Sequence, residues 1–161
     1  MDYAEFRCDM ARRFLDDWDE ERTSNMIDAA MEVFDVVSQT MSAQGGGIYI
    51  GPKDLAAILD GPVTSMYIGN GTRNLDVHGQ TFAAVAALME LLDEGLEDIA
   101  SAQGVLLFVT IPRRLSMADV LAEVEVVEQA AASQGGESPN VVWGVAFHDE
   151  DVVDVCLVAF K

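Results

Sequence analysis

The stretch Gln44-Gly45-Gly46-Gly47-Ile48-Tyr49-Ile50-Gly51-Pro52-Lys53-Asp54 divides the chain into two kinds of pattern. Before it, apolar residues recur at helical spacing; after it, β-favouring runs alternate with helical ones. Three consecutive glycines stop a helix, and Ile48, Tyr49 and Ile50 favour extended backbone. Gly51-Pro52 then turns the chain into the next helix. An irregular loop between two strongly periodic segments is where a functional contact is expected.

At 161 residues the chain is expected to be one domain, or a domain with one helical appendage. Half of it is hydrophobic, enough for a real core, and 23% is charged. Nine Lys and Arg stand against 28 Asp and Glu, a formal net charge of −19. Such a surface repels phosphate backbones and anionic headgroups, so neither nucleic acid nor membrane is an expected partner. Cys8 and Cys156 lie far apart inside apolar patterns, without a Cys-x-x-Cys pair. Buried free thiols are expected, not a disulfide or a metal site. The opening Met1-Asp2-Tyr3-Ala4-Glu5 is acidic, unlike a secretory leader, and no apolar run has the length of a membrane span. The expected location is cytoplasmic.

In chain order, Tyr3, Phe6, Met10, Phe14 and Trp18 recur at helical spacing, so residues 1–22 read as an amphipathic helix with an aromatic stripe. Core packing is the favoured role of that stripe; a docking face is the alternative. Thr23, Ser24 and Asn25 are capping types, and Asp28 suits a first helical turn. Met26, Ala30, Val33, Val37 and Met41 mark a second helix over about 24–43, broadened by Ile27 and Phe34. Past the glycine loop, 54–59 reads as a short helix. The strand at 63–68 is read as closing at Gly69-Asn70-Gly71. Phe82, Val85, Met89, Leu92, Leu96 and Ile99 set the face of a long helix. Val105-Leu106-Leu107-Phe108-Val109-Thr110-Ile111 is the most hydrophobic run and is expected as a central strand buried on both sides. Ser116-Met117-Ala118-Asp119 resembles a capping box ahead of Met117, Val120, Val124, Val127 and Ala131. Strands at 141–147 and 152–160, joined by His148-Asp149-Glu150-Asp151, suit an antiparallel hairpin. The fold class is α/β (α+β): a mixed four-stranded sheet flanked by helices, behind a long N-terminal helical segment.

Over residues 26–160 these motifs resemble the C-terminal domain of FtsZ, the bacterial tubulin relative. The family's strand ending Met-Gly-Ser-Gly is matched by Ser65-Met66-Tyr67-Ile68-Gly69-Asn70-Gly71. Its Leu-Glu-Asp-Ile segment before a Gly-Val-Leu-Val strand is matched by Leu96-Glu97-Asp98-Ile99 and Gly104-Val105-Leu106-Leu107. Its Val-Val-x-Gly strand is matched by Val141-Val142-Trp143-Gly144. Each motif alone is weak; their order and spacing make the resemblance specific. It implies residues 23–161 as one domain including the central helix, with a place in the cytoskeleton and cell division.

The departures bear on function. Nothing upstream of the central helix supplies a nucleotide-binding domain or a Gly-rich phosphate loop. The expectation is a protein that neither binds nor hydrolyses GTP and needs no cofactor. In the family the loop after the central helix carries Asn-x-Asp-x-x-Asp, whose carboxylates act on a neighbouring subunit's nucleotide. Here Tyr49-Ile50-Gly51-Pro52-Lys53-Asp54 keeps only the last acid.

Arg73, Arg113 and Arg114 follow two strands and, if those strands are parallel neighbours, gather at one sheet end as an anion site. Pairing of each arginine with a surface acid is the favoured alternative. His148-Asp149-Glu150-Asp151 lacks the glycine spacing of a calcium loop and reads as a solvated turn. His78 is read as opening a helix beside Gly79, and no nucleophile elbow signals Ser-His-Asp chemistry.

The resulting expectation is a non-enzymatic interaction domain that modulates or caps a filament, or self-associates. Its contact loop consists of Gly45, Gly46, Gly47, Tyr49, Lys53 and Asp54. The alternative from another class is a small oligomer of the chorismate-mutase type that binds carboxylates through Arg73, Arg113 and Arg114.

Overall fold

The computed structural model describes residues 65–132 and 138–161. The helices expected at 1–22, about 24–43 and 54–59, and the loop carrying Gly45, Gly46, Gly47, Tyr49, Lys53 and Asp54, lie outside the described residues.

Four nine-residue strands form one sheet: β1 (Met66–Asn74), β2 (Gly104–Pro112), β3 (Asn140–His148) and β4 (Val152–Phe160). Two helices complete the described fold, α1 (Ala83–Asp93) and α2 (Met117–Ala131), with a 3-10 turn at Ile99–Ser101. The strand order is β1-β4-β2-β3. β1 and β2 both run antiparallel to β4, and β3 runs parallel to β2, so the sheet is mixed as expected.

β2 occupies an inner position, and all but one of its residues are buried, as its unbroken apolar run requires. Its Val105, Leu107, Val109 and Ile111 share the core with Val153, Val155, Leu157 and Ala159 of β4. Ala83, Ala84, Ala87 and Leu91 of α1, with Val120, Val124, Val127 and Ala131 of α2, close the same core from one side of the sheet. Leu106, Phe108, Val158 and Phe160 alternate onto the opposite face and are buried as well.

Three expectations are corrected. The strands β3 and β4 follow one another through a tight turn but do not pair; β2 lies between them. A short turn fixes the reversal of direction, not adjacency. The most apolar strand gains more when both of its edges are hydrogen-bonded and both faces covered. Second, β1 does not close at Gly69-Asn70-Gly71 but runs on to Asn74. A Cβ on Gly69 would strike the Ala87 carbonyl oxygen, and one on Gly71 the Ala83 carbonyl oxygen. These glycines therefore let the helix backbone rest on the strand; they do not form a turn. Third, α1 ends at Asp93, and Gly95, at φ +110°, redirects the chain before Leu96 and Ile99. Its buried face is alanine-rich, whereas Phe82, Met89 and Leu92 are exposed at 39%, 61% and 51%. Small residues face the sheet because the helix lies too close for large ones.

α2 follows the sequence closely. Asp119 accepts hydrogen bonds from the Ser116 backbone N–H at 2.9 Å and its hydroxyl at 3.0 Å, closing the N-terminal turn. Met117, expected on the buried face, is 42% exposed, one turn ahead of Val120.

Candidate functional site

The end of the sheet where β1 and β2 terminate gathers most of the polar side chains with long-range partners. Its centre is Glu123, fully buried on α2 among Val120, Val124 and Val127. One carboxylate oxygen accepts the Ala83 N–H at 3.2 Å and the other the Ala84 N–H at 2.9 Å. Those are the first two amides of α1, which has Phe82 at its N-cap and no side-chain cap of its own. The carboxylate thus satisfies donors left without intrahelical partners and sits at the positive end of the helix dipole. Arg73, near the end of β1, places Nε 3.9 Å from the same carboxylate and its guanidinium 5.5 Å from the Phe82 ring centre. That Nε is buried without a hydrogen-bond partner, so the interaction is an ion pair without a shared proton.

On the opposite face of the same end, Asp154 of β4 accepts a 2.7 Å hydrogen bond from the Thr72 hydroxyl, and one of its carboxylate oxygens lies 3.6 Å from His148 Nε2. His148 Nδ1 accepts the Glu150 N–H at 3.2 Å. Asp154 thereby joins β1 to the β3–β4 turn across the end of the sheet. That turn also holds Asp151, which pairs with Arg114 at 3.0 Å and accepts the Leu75 N–H through its carbonyl at 3.1 Å.

The three arginines therefore stand at one sheet end but face different partners. β1 and β2 are parallel yet not adjacent, since β4 separates them by two strand spacings, about 10 Å. Arg73 faces Glu123, Arg114 faces Asp151, and Arg113 lies over the Phe147 ring at 5.7 Å. His78 does not open a helix: it lies in the loop before α1, five residues ahead of the first helical one. Among the described residues no group of three or more His, Cys, Asp or Glu is arranged to hold a metal ion. None of the described helices is long and apolar enough to cross a membrane. Cys156 is free and half-buried; burial, followed by the charge of Glu90, pushes its thiol up to about 11.

Glu123 did not emerge from the sequence reading. Its signal was there: an acid three residues from Val120 and four from Val127, on the face expected to be apolar. Such a residue in a buried stripe implies a fixed polar partner.

No protein-family model matches the chain, and no curated protein matches it in sequence. Solved structures do match. An empty FtsZ dimer from M. jannaschii aligns at TM-score 0.54 and 20% identity, over 91% of this chain and 41% of that one. This four-stranded mixed sheet with two helices is of the FtsZ/tubulin C-terminal-domain type. A tryptophan-to-tyrosine mutant of FtsZ from the same organism aligns at 0.58 and 18% identity, over 94% and 44%. TubZ of Bacillus thuringiensis serovar israelensis, in GDP-form protofilaments, aligns at 0.52 and 14%, over 86% and 35%. The chain thus spans less than half the length of each of these FtsZ and TubZ chains. At such identities the likeness to FtsZ establishes the fold.

Proposed function

We propose that this chain is a non-enzymatic protein–protein interaction domain that engages a filament-forming protein of the FtsZ type, or a second copy of itself, through the loop 45–54. The observation that carries this reading is a fold likeness to FtsZ spanning 91–94% of the chain, with TubZ protofilaments among the similar structures. Gly45, Gly46 and Gly47 permit close backbone approach, Tyr49 supplies a rigid aromatic contact with a polar tip, and Lys53 and Asp54 bring opposite charges to the contact. A loop offered to a neighbouring subunit in this way would cap a filament end. The domain is taken to span 23–161, with the helix at about 24–43 included.

The chorismate-mutase-type alternative draws less support. Arg73 and Arg114, two of its three anchoring cations, already face Glu123 and Asp151.

Co-sedimentation with assembling FtsZ tests the proposal. The chain should pellet with polymer and shorten it, and Tyr49→Ala with Lys53→Glu should weaken that binding at least tenfold while the unfolding midpoint holds. A wild-type chain that leaves assembly unchanged, and remains monomeric, would overturn the reading.

A further inference from the structure

The outward face of α1 carries an apolar stripe that the described fold leaves exposed, apart from the contact of Phe82 with Arg73. Phe82, Met89 and Leu92 are exposed, Val85 between them is half-buried, and the four recur at three- and four-residue spacing. They lie opposite Ala83, Ala87 and Leu91, so the helix is apolar on both sides. The surroundings are acidic. From Asn74 to Pro112 there are six carboxylates (Asp76, Glu90, Asp93, Glu94, Glu97, Asp98) and no lysine or arginine. Glu90 and Asp93 sit in the last turn of α1, where the helix dipole is negative and no basic side chain stands. A cation is the group that end of the helix lacks.

We propose that the amphipathic segment of residues 3–18 docks on this stripe within the same molecule. Its Tyr3, Phe6, Met10, Phe14 and Trp18 recur at the matching helical period. Four of the nine basic residues of the chain, Arg7, Arg12, Arg13 and Arg22, fall in its first 22 residues. Residues 6–14 hold three arginines and one aspartate, the most basic stretch of a chain whose net charge is −19. In helical projection Arg7 and Arg13 flank the aromatic stripe, where they would meet Glu90, Asp93 and Glu94. The lengths agree too: as a helix, 3–18 spans about 24 Å, enough to cover the roughly 15 Å from Phe82 to Leu92. A second copy docking through its own α1 would instead bring like charges together. The docked segment makes α1 a covered face, independent of the filament reading.

Amide hydrogen exchange on the full chain tests this. Residues 3–18 should show at least tenfold protection, lost in Met89→Glu/Leu92→Glu while β2 and β4 keep theirs. Both substituted side chains are exposed, so the fold accepts them. Protection that is absent in the wild type, or unchanged in the variant, overturns the proposal. If the variant loosens the sheet, the pair Met10→Cys and Met89→Cys in a Cys8→Ser/Cys156→Ser background decides. A crosslink within one chain supports docking in the same molecule. A crosslink only between chains, or none, overturns it, and Arg12→Cys with Met89→Cys serves as the mismatched control.

Discussion

Glu123 ties α2 to the start of α1 through two amide hydrogen bonds and an ion pair with Arg73. Removing its carboxylate leaves two buried N–H groups unsatisfied and Arg73 uncompensated, and such losses are far more costly than the bonds are individually strong. Glu123→Ala should therefore lower stability by about 3 kcal/mol in denaturant unfolding, and Glu123→Gln, keeping one acceptor oxygen, by about half as much. A loss below about 1 kcal/mol for the alanine variant would show that water replaces the cap. Cys156 gives a pH-dependent prediction. Its folded value of about 11 lies above the ordinary 9.0, because burial favours the neutral thiol. The folded state thus holds the proton more tightly, and the contribution is complete below pH 9 and lost as pH rises towards 11. Over that interval the stability difference between wild type and Cys156→Ala should fall by up to about 2.7 kcal/mol. A difference that stays flat from pH 8 to 11 would refute the shift.

At the scale of elements, the close approach of α1 to β1 is the feature with the least tolerance. Gly71→Ala would drive a methyl into the Ala83 carbonyl and within 2.7 Å of the Ala87 nitrogen, both backbone atoms that cannot turn aside. A loss of about 2–3 kcal/mol in chemical denaturation is expected, with Gly69→Ala behaving alike. Either variant retaining full stability would mean that α1 slides freely on the sheet. The start of α2 is a milder case. Asp119→Ala removes both hydrogen bonds to Ser116 and should cost about 1 kcal/mol. These two helices differ in legibility for a physical reason. The capping residues of α2 are three positions apart and appear directly in the sequence, whereas the N-terminus of α1 is capped by a side chain 40 residues away.

For the whole molecule the net charge of −19 dominates. Self-repulsion penalises the compact state, and salt screens it over a Debye length that shrinks from about 30 Å to a few Å between low and molar ionic strength. Raising NaCl from about 10 mM to about 0.5 M should increase Tm by several degrees. A decrease would mean that ion pairs such as Arg114–Asp151 outweigh the repulsion. The long-range arrangement around β2 has its own consequence. With β4 paired to both β1 and β2, strands far apart in sequence are joined through it, a non-local arrangement that slows folding.

The sequence by itself determined β2 as an inner strand, α2 with its capped start, the mixed sheet, and the resemblance of residues 26–160 to the FtsZ C-terminal domain. Each rests on a local quantity: the apolarity of one run, the spacing of a few residues, the order of motifs. Only the tertiary structure decided that β2 separates β3 from β4, that α1 buries its alanines and exposes Phe82, Met89 and Leu92, and which side chain faces each arginine. The larger residues of α1 gave the stronger periodic signal, but the two glycines of β1 bring the backbones too close for them. Likewise Arg73 and Glu123 meet because α2 packs on the face of the sheet towards which the end of β1 turns Arg73. What a residue touches across 40 or 50 positions depends on how closely the chain packs, and packing distance is a property of both partners that neither local pattern contains.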